Sequence, residues 1–174
     1  MKKYLLCLSI CVLASIVTGC AGNAPSASYR KEMADTMRIC PTDETMVKVT
    51  AAPGVEIKPD VLERLSGLIK KSVETKKTAA KCPDTAKRTF AMDTKITQYE
   101  PGNKFARFML AGLGQIHIDG DSILSSVTPS GKELVSDFTI EKTFAFGGVY
   151  GATTGIEDVE PAFAEGVANA VVKQ

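Results

Sequence analysis

His117 and Asp119 stand two residues apart in Ile116-His117-Ile118-Asp119, so on a strand both side chains project from one face. There they could share a metal ion or act as an acid–base pair. His117 is the one histidine of the chain, which excludes any site or mechanism needing two. With no third ligand in the pattern, a solvent-facing pair accounts for them more simply, and no metal is assigned. Arg107 interrupts an apolar stretch of Phe105, Phe108, Met109 and Leu110. Its planar guanidinium could grip a carboxylate or phosphate through two parallel hydrogen bonds, or pair with an internal acid and fix the start of a strand. Gly112-Leu113-Gly114 lacks the rest of a dinucleotide fingerprint and precedes a strand pattern, so it reads as a bend. Lys70, Lys71, Lys76, Lys77, Lys81 and Lys87 could meet anionic headgroups or a polyanionic wall polymer. Interleaved with Glu63 and Glu74, such a cluster more often means the solvated face of a helix. No catalytic residue emerges from these groups, and no cofactor is expected.

The elements that must carry these residues follow from composition and periodicity. The chain has 174 residues, 44% hydrophobic and 24% charged, with a formal net charge of +1. That is one domain's length, enough to bury a core, and a balance that excludes a polybasic nucleic-acid binder. Val47, Val49 and Ala51 alternate with Lys48 and Thr50, giving a strand over 45–52 that Pro53-Gly54 ends. Asp60 with Glu63 three residues on resembles a capping box, opening a helix that runs to about Ala80. Its apolar face holds Leu62, Leu65, Ile69 and Val73. Strand patterns follow at Phe90, Met92 and Ile96, then at Ile116 and Ile118. There the apolar parity shifts to Ile123 and Val127, as a bulge at Gly120 would allow. After a Thr128-Pro129-Ser130-Gly131 turn, Leu134, Phe138, Ile140, Phe144 and Phe146 share one face of a long strand. Val159, Phe163, Val167 and Val171 mark a C-terminal helix, and Tyr29, Met33 and Met37, four apart, suggest a short one near the start. The expected fold is α+β, a two-layer sandwich in which two helices pack on a mixed or antiparallel sheet of about four strands.

The N-terminus resembles a bacterial lipoprotein signal peptide. Met1-Lys2-Lys3 is a basic start, Tyr4 to Val17 is almost wholly apolar, and Val17-Thr18-Gly19-Cys20 resembles a lipobox. The resemblance implies cleavage between Gly19 and Cys20, diacylglycerol on the Cys20 sulfur and acylation of its amino group. It thus divides the chain into a signal peptide (1–19), a lipidated tether (20–44) and one domain (45–174). The processed chain keeps 155 residues with 19 basic against 20 acidic side chains. Ala21 stands where an aspartate would suggest inner-membrane retention, so an outer-membrane anchor with the domain in the periplasm is expected.

Cys7 and Cys11 leave with the signal and Cys20 carries lipid, which leaves Cys40 and Cys82 in an oxidising compartment. The strand after Cys40 and the helix before Cys82 are each about 25 Å long, so an antiparallel return brings the two together. A disulfide is expected, two separate buried thiols being the alternative.

Nine of the fourteen glycines fall between Gly102 and Gly155. Tyr99-Glu100-Pro101-Gly102-Asn103, Arg107, Gly112-Leu113-Gly114, Ser130-Gly131-Lys132 and Phe146-Gly147-Gly148 occur in an order and spacing similar to a domain of unknown function widespread in small bacterial lipoproteins, the forty-four-ten family. The similarity is clearest over residues 97–172. It implies an envelope lipoprotein domain with no established activity and no cofactor. Two readings result. One is a non-enzymatic lipoprotein, held to the membrane through Cys20, that binds an envelope protein or wall component or serves in envelope assembly. The other is a small-molecule binder or hydrolase built on Arg107, Gly112, Gly114, Gly147 and Gly148, with 146–155 as a lid.

Overall fold

The computed structural model describes residues 24–82, 87–110 and 112–172. Residues 1–19, read from the sequence as a signal peptide, and Cys20, Ala111 and the last two residues lie outside them. Five strands, β1 (Ser26–Lys31), β2 (Glu44–Ala51), β3 (Thr89–Glu100), β4 (Ile116–Thr128) and β5 (Gly131–Phe144), form one sheet in the order β1-β5-β4-β3-β2. β2 and β3 run parallel, joined through helix α1 (Pro59–Lys77), and the other pairs are antiparallel, so the sheet is mixed. Two short helices, α2 (Lys104–Met109) and α3 (Gly148–Thr153), and a longer α4 (Glu160–Val171) complete the fold.

One face of the sheet is the core face. Phe90, Met92 and Ile96 of β3, Ile116, Ile118 and Leu124 of β4, and Phe138 and Ile140 of β5 are fully buried there, on alternate residues as a half-covered sheet requires. α1 contributes Leu65, Ile69 and Val73 at four-residue spacing, and α4 contributes Phe163, Val167 and Val171. The two helices pack side by side, and Arg64 ties them with two hydrogen bonds to the buried Glu160, 2.7 and 2.8 Å. Tyr99 donates a further 2.7 Å bond to Glu160. Burial and that carboxylate push the Tyr99 hydroxyl well above its ordinary pKa.

The expected α+β class holds, with five strands in place of about four. The extra strand is β1, in the stretch read as tether and short helix. Ala27 and Tyr29 turn inward with period two. The Tyr29 ring lies 5.7 Å from Phe138, and its hydroxyl donates to the Ala170 carbonyl at 3.1 Å. Met33 and Met37 still pack on the core, from irregular chain and a single 3₁₀ turn at 35–37.

α1 begins at Pro59 behind Lys58, not at Asp60, and no side chain caps it. Proline suits the first helical position because it has no N–H to leave unpaired, and Asp60 then faces the positive end of the helix. Nor does the parity of β4 shift at Gly120. Its pairing with β5 is continuous from Ile116 to Leu124, Ile123 stays on the solvent face, and Ser122 is buried in a 3.0 Å hydrogen bond with Thr94. A Cβ at Gly120 would stand 3.1 Å from the Phe163 ring, a tight contact that a shift of a few tenths of an ångström would have to relieve. The irregularities fall instead between Ile96 and Gln98 of β3 and opposite the Leu124–Ser125 step, at Val135 of β5. The second turns Leu134 outward and buries Val135.

Cys40 and Cys82 form the expected disulfide, with Cα atoms 5.9 Å apart and a sequence separation of 42. Beside it Asp43 is buried. Its carboxylate accepts from Arg88 Nη2 at 2.7 Å and from the Cys40 N–H at 2.8 Å, while Lys77 donates to its carbonyl at 2.8 Å. Three of the lysines are paired: Lys76 with Glu165, Lys87 with Glu44, and Lys77, itself buried, with Glu74.

Candidate functional site

The residues singled out by the glycine-rich pattern converge on one end of the sheet, where β3 ends, β4 starts and β5 ends. α2 leaves β3 through Pro101-Gly102-Asn103. Asn103 is its N-cap, the side-chain oxygen accepting from the Ala106 N–H at 3.0 Å. The chain then returns through Gly112 and Gly114 to β4. Gly114 must be glycine: at φ +64° it lies so close to Asn103 that a Cβ would collide with the Asn103 carbonyl. Gly112 donates to the Ala145 carbonyl at 3.2 Å, which pins this turn to the end of β5. From there Gly147 and Gly148 start α3. The Gly147 carbonyl receives the Gly151 N–H at 3.3 Å.

Arg107 holds these turns together. Its side chain is fully buried and is the largest one so enclosed. Nε donates to Gly151 O at 2.7 Å, Nη1 to Pro101 O at 3.0 Å and to Gly114 O at 2.6 Å, and Nη2 to Thr154 O at 3.1 Å. The guanidinium therefore reads four backbone carbonyls from three segments: the end of β3, the turn before β4 and the α3 region. No ion pair to Arg107 occurs among the described residues, so the expected internal acid is replaced by main-chain oxygens. The planar five-donor fork is the one side chain that can serve several carbonyls in different directions.

What Arg107 supports is an apolar surface. α2 and α3 lie together, and they and the turn after α2 expose Phe105 (72%), Val149 (70%), Tyr150 (63%), Phe108, Met109 and Leu110. Scattered exposed apolar residues are ordinary, whereas so many on two touching six-residue helices form a patch of the kind that marks an interaction surface. Lys104 is the one exposed charge on the two helices.

Behind α3 lies an open cleft of about 500 Å³, lined by Phe144, Phe146, Tyr150, Thr154, Asp158 and Lys142 among others. Phe144, Phe146 and Tyr150 make a three-ring wall with centroids 5.2 to 5.7 Å apart. Burial depresses the Lys142 pKa, and the Asp158 carboxylate accepts the Gly155 N–H at 2.7 Å. Arg107 does not line this cleft.

His117 and Asp119 are elsewhere, on the solvent side of β4. His117 Nδ1 lies 3.1 Å from Thr143 Oγ1. Asp119 Oδ1 is buried without a hydrogen-bond partner, and that burial raises the carboxyl pKa. No group of three or more His, Cys, Asp or Glu among the described residues is placed to hold a metal. No described helix is long and apolar enough to cross a membrane.

The sequence pattern misses α2 and α3. The signal for α2 is there in retrospect: Asn103 as cap, then Phe105, Phe108 and Met109 at helical spacing. α3 has no such signal, being Gly-Val-Tyr-Gly-Ala-Thr held in place by Arg107.

Solved structures share this fold at low sequence identity. Two structures of the PelC dodecamer from Paraburkholderia phytofirmans, one of them a point variant, align over 87–88% of this chain and all of theirs. Their TM-scores are 0.52–0.53 and their identities 10–11%. A candidate lipoprotein from Caulobacter crescentus CB15 aligns over 74% of this chain and 83% of its own at 13% identity, with a TM-score of 0.38 that is too low to bear on the fold. No curated protein matches the chain. A domain of unknown function, DUF4410, matches residues 33–148, which span β2 to the start of α3 and include Arg107 with the turns it joins. The chain belongs to the DUF4410 family.

Proposed function

We propose that this protein is a lipid-anchored envelope lipoprotein, held at the outer membrane through Cys20 with its domain in the periplasm. Its role is non-enzymatic binding or envelope assembly. The observation that carries the reading is the exposed apolar platform of α2 and α3, built on an arginine whose hydrogen bonds all end on the protein's own backbone. The side chain best suited to grip an anionic substrate is committed to holding a surface. The lipobox-like Val17-Thr18-Gly19-Cys20 supports the anchor, and the Cys40–Cys82 disulfide suits an oxidising compartment. A fold shared with a dodecamer-forming protein supports an assembly role by analogy of architecture.

Proximity labelling in living cells, with the wild type and Cys20→Ala, tests this. The wild type should label a set of envelope proteins that the variant loses. If both label the same set, the lipid does not place the protein and the reading fails.

The open cleft favours a second reading, a small-molecule binder. A compound that raises the melting temperature of the wild type but not of a Tyr150→Ala variant would support it.

A further inference from the structure

The platform lies at the end of the domain from which the chain leaves toward Cys20. β1 pairs with β5 from Ser26 opposite Glu141 to Lys31 opposite Asp137, so its N-terminal end points to the end of β5, where Phe144 leads into α3. Ser26 is three rungs from that end, about 10 Å. Pro25 packs against Gly166 of α4 and fixes where the strand begins. This shortens the tether from the expected 20–44 to the residues before Ser26. Ser26 lies six peptide steps after Cys20, a span of at most about 20 Å.

We propose that the α2–α3 platform docks on the lipid bilayer surface, the domain standing with this end of its sheet against the membrane. This rests on the lipid-anchored reading above. An anchor on so short a leash keeps this end near the headgroups. The side chains presented there, with Phe105, Val149 and Tyr150 each more than three-fifths exposed, are of the kind that settle at the boundary between headgroups and acyl chains. Lys104, the one exposed charge on the two helices, suits anionic headgroups. The opposite end, with the Thr128–Gly131 hairpin and the disulfide, faces away and stays free.

The test uses the full lipidated protein in vesicles of phosphatidylethanolamine and phosphatidylglycerol. Phe105→Cys and Val149→Cys variants are labelled with an environment-sensitive fluorophore, and Ile123→Cys, on the exposed sheet face, is the control. Cys40 and Cys82 are bonded and do not react. Nitroxide-bearing lipids should quench the probes at 105 and 149 several-fold more than the probe at 123, and aqueous iodide should show the reverse order. Equal quenching by lipid at all three positions overturns the proposal. So does shielding at 105 and 149 from both quenchers, which would mean that a second copy or another protein covers the platform. The intact mass of the same sample separates the two levels: an unmodified Cys20 refutes the anchor and the docking with it, whereas a lipidated protein with water-exposed probes refutes the docking alone.

Discussion

Replacing Arg107 by methionine keeps much of the side-chain volume and removes every hydrogen bond it donates. Two of the four carbonyls, on Gly151 and Thr154, meet Nε and Nη2 at buried sites, while those of Pro101 and Gly114 are only partly enclosed. Water can reach the latter pair, so their loss costs little. The buried pair is left unsatisfied at about 1–3 kcal/mol each. The relief of a desolvated charge offsets part of the total, giving an expected loss of about 2–5 kcal/mol. Arg107→Lys should fare little better, because a single ammonium cannot reach carbonyls of three segments at once. The loss should be local first. In native-state hydrogen exchange, the amides of Leu110, Gly151 and Thr154, bonded to the Ala106, Gly147 and Tyr150 carbonyls, should lose protection in either variant. Amides of β3–β5 should change only as far as global stability falls. Wild-type urea stability together with unchanged protection at Gly151 and Thr154 would refute the view that Arg107 holds the platform.

Reducing the Cys40–Cys82 bond, or replacing both residues by serine, reopens a loop of 42 residues. The loss should be about 4 kcal/mol, read as a lower urea midpoint, and an unchanged midpoint would contradict it. Gly151→Ala would drive a Cβ into the Phe146 carbonyl and cost about 1–3 kcal/mol. Gly67→Ala, at an α1 position with open space, should stabilise by about 0.5–1 kcal/mol, so the two alanine variants move thermal midpoints in opposite directions. Burial alone would raise the Asp43 carboxyl, but the bonds from Arg88 and the Cys40 N–H outweigh it and hold the group below its ordinary 3.8. A carboxyl depressed in the folded state stabilises above its unfolded value and loses that contribution as pH falls through the folded one. Asp43→Asn should therefore be less stable than wild type at pH 7, with the gap closing in acid below about pH 4. A gap that persists in acid would show that the charge is not the source.

The sequence discloses elements wherever a single periodicity governs a long segment. β3, β5 and α1 are legible because burial on one side dictates alternation or four-residue spacing. The disulfide follows from equal element lengths. β1 was hidden because two inward residues, Ala27 and Tyr29, are too few for alternation to stand out, while Tyr29, Met33 and Met37 share a spacing that mimics a helix. The shift at Val135, which exposes Leu134, depends on how β5 meets β4, and no local pattern encodes it. At the site, the sequence names the residues that converge, Arg107 with Gly112, Gly114, Gly147 and Gly148. Their relation is a tertiary fact, because four carbonyls from three segments define what the guanidinium binds. An arginine among exposed phenylalanines looks like a ligand-binding group until those carbonyls are in view.

The anchor is the claim on which both the proposed function and the docked orientation depend. Intact-mass spectrometry of the protein extracted from cell membranes tests it most directly. The account predicts a chain beginning at Cys20, heavier than its peptide mass by one diacylglycerol and one acyl group, with two fewer hydrogen atoms for the Cys40–Cys82 bond. A chain that retains residues 1–19, or one that begins at Cys20 without lipid, would contradict it.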